Sequence, residues 1–124
     1  MAAFNVRRGD IFWVDLSGGK GAEINHKVRP ALVIQNDVGN QYSPTTIIAP
    51  LSGAVGRKTY PTEVKLAPSD VSVTLGDTGL LKASKVKLEQ IRTVDKSRLK
   101  TRVGKVRTTK MIEVDKAIRT SLNV

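Results

Sequence analysis

Gly21–Asn36 reads GAEINHKVRPALVIQN, and its two halves have different characters. The first half is a polar loop carrying one carboxylate, Glu23, and the only histidine of the chain, His26. The second half starts at Val28-Arg29-Pro30 and continues into the apolar run Ala31–Ile34. Pro30 disfavours the helical region for the residue before it, so Arg29 is pushed toward extended backbone. A strand is predicted over Ala31–Asn36, with a cation fixed at its mouth.

Working outward, the stretch upstream is Asp10–Leu16, DIFWVDL, whose aromatic and β-branched residues predict a strand. Phe12, Val14 and Leu16 alternate onto one face, assigned to the core, with Ile11, Trp13 and Asp15 on the other. Trp13 then belongs either to a partner surface or to a second buried face. Ser17–Gly21 breaks the strand, but it lacks the Gly-Lys-Ser/Thr ending and following helix of a phosphate loop, and the dinucleotide fingerprint is absent.

Downstream, Asn36–Asn40 has turn chemistry, and Thr45–Leu51, TTIIAPL, is a third strand. Pro50 cannot donate to a ladder and therefore marks an edge or a bulge, which places the hydroxyl of Ser52 at an irregularity. Gly53–Tyr60 is a loop and Pro61–Leu66 a fourth strand. Residues 67–79 are turn-rich, with a short strand at Val71–Leu75; Lys85–Val94 is a strand of broken alternation, and Asp95 caps a helical turn through Leu99. Met111, Val114, Ala117, Ile118 and Leu122 make a helical stripe over Lys110–Leu122, with Thr108 or Thr109 as N-cap and Glu113 and Asp115 near the favourable end of the dipole. The pattern predicts one mainly-β domain over residues 1–124, a small barrel with a C-terminal α-helix.

The 124 residues contain no cysteine and one histidine, which leaves no disulfide framework and no Cys- or His-rich metal site. No apolar run approaches the roughly 20 residues that span a bilayer, and MAAFNVRRGD has no signal-peptide core, so a soluble cytoplasmic protein is expected. Net charge is +10, with +1 over residues 1–81 and +9 over residues 82–124. A basic half of this kind suits a polyanion, nucleic acid first.

Several stretches in order resemble the MazF/PemK-type toxins of bacterial toxin–antitoxin systems. They are Arg8–Phe12 with Asp15-Leu16, Gly21-Ala22-Glu23, Val28–Asp37, Tyr42–Thr45, Leu88–Lys96 and Val114–Ile118. The resemblance implies an SH3-like β-barrel of the CcdB/PemK type, forming a homodimer. It implies a metal-independent, cofactor-free endoribonuclease (an mRNA interferase) that cuts single-stranded RNA at specific sequences and stops translation. It also implies an antitoxin partner with an acidic flexible tail. The family's catalytic arginine matches Arg29, its threonine hydroxyl matches Ser52, and its loop glutamate matches Glu23. Ser52 stands where Thr is usual, the Glu23–Arg29 loop is one residue longer, and residues 67–81 are expanded; cut-site preference therefore does not transfer.

Under this resemblance Arg29 would hold phosphate oxygens with its planar fork, Ser52 would donate to a phosphoryl oxygen, and Glu23 would act as base toward the 2′-OH. The alternatives are an ion pair of Arg29 with Glu23 or Asp37 and a turn-capping Ser52. Lys20, Lys27, Arg57, Lys58, Arg8 and Arg92 are the candidate RNA contacts. Aromatic residues are few (Phe4, Phe12, Trp13, Tyr42, Tyr60), so backbone electrostatics and salt sensitivity should dominate binding. Two competing readings are a non-catalytic nucleic-acid-binding domain and a topoisomerase-poisoning toxin on the same fold. His26 matches no catalytic position; His26→Gln is expected to leave the pH dependence of RNA cleavage unchanged, and a displaced pH–rate profile would assign it an acid–base role.

Overall fold

The extended backbone imposed by Pro30 carries further toward the N-terminus than the apolar run suggests. The computed structural model describes residues 5–18, 28–53, 56 and 58–124. Its second strand covers Val28–Val33 (β2) and takes in the Val28-Arg29-Pro30 triplet itself. It pairs antiparallel with Asp10–Asp15 (β1), Trp13 lying opposite Pro30 and Val14 opposite Arg29. The expected turn after it is a short helix, Asp37–Tyr42 (α1), because Asn36 is used as an N-cap: its side chain accepts the Gly39 N–H at 2.8 Å. Residues that favour turns also favour caps, and for the same reason, a short side chain that bonds nearby backbone.

Thr45–Ser52 (β3) pairs with β2 on one side. On its other side it takes two partners in succession. Thr45–Ile48 pair with Arg92–Asp95 (β7), and Leu51-Ser52 pair with Ser84–Lys87 (β6). The predicted single strand Lys85–Val94 is thus two strands split by a 3-10 turn at Leu88–Gln90. Thr45 opposite Asp95 and Leu51 opposite Val86 differ in register by three residues, so the extra length bows out opposite Ala49-Pro50. Pro50, which has no N–H, stands at that interruption in an interior strand. The bulge expectation holds in this form, and the edge-strand alternative does not.

Glu63–Leu66 (β4), Val71–Ser72 (β5) and Leu99–Val106 (β8) complete a curled antiparallel sheet in the order β4-β6-β3-β2-β1-β8-β5, with β7 alongside β3. β8 was not read from the sequence. Its pairing with β1 shifts register twice, between Ile11 and Phe12 and between Phe12 and Val14, which blurs the alternation that would have revealed it. The curl buries both faces of β1. Ile11, Leu32, Leu51, Val86 and Val114 join one core cluster, and Phe12, Val14, Ala31, Ile48 and Val94 join the other. Ile11, assigned above to the non-core face, is fully buried.

The C-terminal helix covers Thr108–Leu122 (α2), with Arg107 rather than a threonine at the N-cap position. Glu113 and Asp115 lie beyond its first turn and act through side-chain pairs instead, Asp115 with Arg8 at 2.7 Å and Glu113 with Lys110 at 3.2 Å. Val114 and Ala117 are buried, and Ser121 Oγ donates to the Leu88 carbonyl at 2.7 Å, docking the helix on the 3-10 turn. Asp95 caps the turn at Lys96–Arg98 as expected, its side chain accepting the Ser97 N–H at 2.8 Å.

Gly104 on β8 is set by close approach. A Cβ there would stand 2.6 Å from both the Ser72 carbonyl oxygen and Val71 Cγ1. Gly104→Ala should therefore push β5 off β8 and lower stability by about 1–3 kcal/mol. Urea unfolding checks this, with Gly18→Ala excluded as a control because Gly18 has a positive φ of 99°.

Candidate active site

Arg29 is the second residue of β2, half-buried, and its Nη1 donates to the Leu51 carbonyl at 3.1 Å. That bond crosses from β2 to the end of β3 and fixes the guanidinium beside Ser52. Among the described residues no carboxylate pairs with Arg29. Asp37, one of the alternatives, is committed elsewhere: it accepts the Arg8 N–H at 2.7 Å and Asn40 Nδ2 at 3.1 Å, and those bonds hold its pKa below the usual carboxylate value.

Arg29 and Ser52 line one open cavity of about 240 Å³ with Trp13, Pro30, Lys82 and Ser84. This is below the roughly 300–1,000 Å³ of clefts for drug-sized ligands, and Arg29 and Lys82 bring two cations to an otherwise largely uncharged lining. The Trp13 ring forms one wall, with Nε1 3.4 Å from Thr78 Oγ1. Ser84 Oγ donates to the Lys82 carbonyl at 3.1 Å and holds the turn that brings Lys82 to the rim.

Across the ladder from Ser52 lies a buried charge cluster. Lys85, the register partner of Ser52, is only 2 % exposed. Its Nζ donates to the Lys58 carbonyl at 2.9 Å and lies 3.7 Å from Glu63 Oε1. Glu63 also accepts the Tyr60 N–H at 3.0 Å and is hydrogen-bonded to Lys87, which reaches Glu89 at 3.1 Å as well. Burial opposes charging of Glu63, but the Lys87 bond, the Tyr60 amide and the two lysine charges outweigh it and leave its pKa lowered. For Lys87 burial is likewise outweighed, by its bonds to Glu63 and Glu89, and its pKa is raised. The cluster ties residues 58–63 to the strand that flanks Ser52.

The other residues singled out in the sequence are dispersed. Arg8 Nε donates to the Ile34 carbonyl at 2.8 Å and its Nη2 pairs with Asp115, joining the N-terminal segment to α2. Arg92 Nη1 donates to the Leu16 carbonyl at 3.2 Å. Lys58 is exposed, its ammonium 5.8 Å from the centre of the Tyr60 ring. None of these three lines the cavity. Glu23, His26, Lys20, Lys27 and Arg57 lie outside the described residues. Sequence reasoning missed Lys82, Ser84 and the buried role of Lys85; nothing in their spacing marks them, and only the pairing of β6 with the end of β3 brings them to Ser52. Among the described residues no cluster of three or more His, Cys, Asp or Glu side chains could hold a metal ion, and no helix is long and apolar enough to cross a membrane.

Similarity to known proteins extends along nearly the whole chain. Residues 7–122 match the family described as PemK-like, MazF-like toxin of type II toxin-antitoxin system. The endoribonuclease MazF of Staphylococcus epidermidis is 41% identical over 119 residues, covering 96% of this chain and 92% of that protein. A solved endoribonuclease in complex with its cognate antitoxin, from mycobacterial species, superimposes with a TM-score of 0.74 at 25% identity over 96% of each chain. MazF from Deinococcus radiodurans shares the fold with a TM-score of 0.72 at 22% identity, covering 98% of this chain and 99% of that one.

Removing the Glu63 charge strands two lysines around a neutral side chain. Glu63→Gln should cost about 3–5 kcal/mol, the usual penalty for breaking a buried pair from one side. Because the folded pKa of Glu63 is depressed, its contribution is complete above the unfolded carboxylate value of about 4.3 and is lost as pH falls through the lower folded value. Urea midpoints followed from pH 7 into the acid range should therefore fall less steeply for Glu63→Gln than for the wild type.

Proposed function

Because this chain belongs to the PemK-like, MazF-like toxin family of type II toxin–antitoxin systems, we propose that it is an endoribonuclease cutting single-stranded RNA, chiefly mRNA, at specific sequences. The observation that carries the reading is the convergence of Arg29 and Ser52, from neighbouring strands, on one cavity with the Arg29 fork anchored by the Leu51 carbonyl.

RNA carries its own nucleophile, so the reaction needs no metal-bound water. The 2′-oxygen attacks the adjacent phosphorus, the bond from phosphorus to the 5′-oxygen breaks, and the products are a 2′,3′-cyclic phosphate and a 5′-OH. The proton leaving the 2′-OH goes to Glu23, and the 5′-oxygen takes its proton from solvent. Negative charge grows on the two non-bridging oxygens during attack. Arg29 neutralises that charge through paired N–H donors, and the Ser52 hydroxyl donates to the same group. Among the described residues only the Leu51 carbonyl accepts from Arg29, which leaves most of the five guanidinium donors for substrate and sets their direction in advance. The Ser52 hydroxyl is a donor rather than a nucleophile, since the substrate supplies the attacking oxygen.

The net charge of +10 draws in RNA and, equally, an antitoxin whose flexible acidic tail would cover the same cavity. A homodimer acting in the cytoplasm completes the reading, supported by family membership.

The test is incubation of the purified protein with mixed-sequence RNA in EDTA. Discrete cuts are expected, abolished by a 2′-deoxy substitution at the cut site. Arg29→Ala should slow cleavage by about 10²–10³-fold, as loss of a main oxyanion donor does, with an unchanged melting curve. Ser52→Ala should also be impaired and Ser52→Thr active, because the hydroxyl is what matters. Intact RNA with folded wild-type protein would overturn the reading, and inhibition of a topoisomerase by that preparation would replace it.

A further inference from the structure

We propose that Lys82 is a further catalytic residue of this site, a second cation that meets the scissile phosphate from the side opposite Arg29. The inference rests on the endoribonuclease reading above and extends it to a residue that the sequence did not single out.

Position is the first argument. In the sheet, β3 lies between β2 and β6. Arg29 comes from β2, and Lys82 comes from the turn leading into β6. Both line the cavity at the end of β3, so the two cations bracket Ser52. Residue 53 is glycine, which puts no side chain between them. The Cβ position of Gly53 lies 3.6 Å from Lys82 Cε and 3.7 Å from Lys82 Nζ, so the ammonium sits directly over the backbone that follows Ser52.

Commitment is the second. Lys85, three residues on, spends its ammonium on the Lys58 carbonyl and Glu63 and is buried. Lys82 is exposed, and among the described residues no carboxylate pairs with it. Its backbone is nevertheless held on both sides. Ser84 Oγ bonds its carbonyl at 3.1 Å, and upstream the Gly79 N–H donates to the Val103 carbonyl at 2.8 Å. The cation is therefore placed by the fold while its charge is left for a ligand.

Charge matching is the third. A phosphodiester carries one negative charge, and the pentacoordinate phosphorus formed by 2′-oxygen attack carries nearly two. A single arginine matches the ground state; a cation on each side matches the transition state. An interaction stronger in the transition state raises kcat and leaves KM little changed. Lys82 in this role makes and breaks no bond.

The experiment is steady-state cleavage of a short RNA containing one mapped cut site. Wild type is compared with Lys82→Met, Lys82→Arg, Arg29→Ala and Lys116→Met, an exposed α2 substitution that matches the change in net charge. Lys82→Met should lower kcat by about 10- to 100-fold, below the full cost of losing a buried oxyanion donor, with KM within about threefold and the melting curve unchanged. Lys82→Arg should recover most of kcat, and Lys116→Met should match wild type. Wild-type kcat in Lys82→Met, with Arg29→Ala inactive, would overturn the role of Lys82 and leave the nuclease reading standing. So would a raised KM with kcat unchanged, the signature of an ordinary backbone contact. Equal cleavage by wild type and Arg29→Ala, or none by wild type, would overturn both.

Discussion

β3 has one free edge and two strands to seat on it. The three-residue register difference between β7 and β6, absorbed opposite Ala49-Pro50, decides where the second of them lands. With β6 set against Leu51-Ser52, the turn before it and its first residue bring Lys82 and Ser84 to the end of β3, and Lys85 stands directly across from Ser52. A ladder without that interruption would slide β6 along β3 by three residues, and an odd shift of this size also reverses which face each side chain takes. The cavity and the buried charge cluster both follow from that interrupted ladder, while the β2–β3 register, with Ala31 opposite Pro50, places Arg29 against Leu51.

The basic half of the chain acts differently from what its net charge suggests. Its arginines mostly bind the protein itself. Arg98 Nη1 is 3.1 Å from the carbonyls of both Asp15 and Ser17, Arg92 reaches that of Leu16, and Arg107 Nε donates to that of Ser69 at 2.9 Å. Arg102 pairs with Asp10 at 2.9 Å and with Asp77. These donors satisfy carbonyls where β1 leaves the sheet and where loops cross its surface, groups that would otherwise lose water without gaining a partner. The charges still contribute to the long-range field that steers a polyanion. The cations that line the cavity itself are Arg29 and Lys82.

The legible part of the fold was the part governed by local pattern. β1 and β3, the axis of α2 and the cap at Asp95 are visible as alternation, helical spacing and a turn residue. Arg29 was legible because proline restricts the residue before it, and Ser52 because Pro50 signals an irregular ladder. What failed depended on contacts distant in sequence. β8 is masked by two register shifts against β1. The 3-10 turn inside residues 84–95 reads as imperfect alternation until β3 is placed beside it. For the Ile11 side of β1 the pattern left a partner surface and a second buried face open, because the second core that Ile11 joins exists only through the curl of the sheet. Lys82 is one lysine among many until β6 is docked, and Lys85 on an apparently amphipathic strand gives no sign of being buried.

β1 is made first and finished last. It sits in the middle of the sheet, with β2 on one side, but its other neighbour is β8, some ninety residues later, and Arg8 just before it waits for Asp115 on α2. Contacts of such long sequence separation slow folding, because loop closure must precede the contacts that reward it. At roughly 5–20 residues per second of synthesis, several seconds separate the emergence of β1 from that of the strand that covers it. A nascent chain therefore carries Arg29 and Ser52 for seconds before β8 and α2 close the sheet that holds their strands.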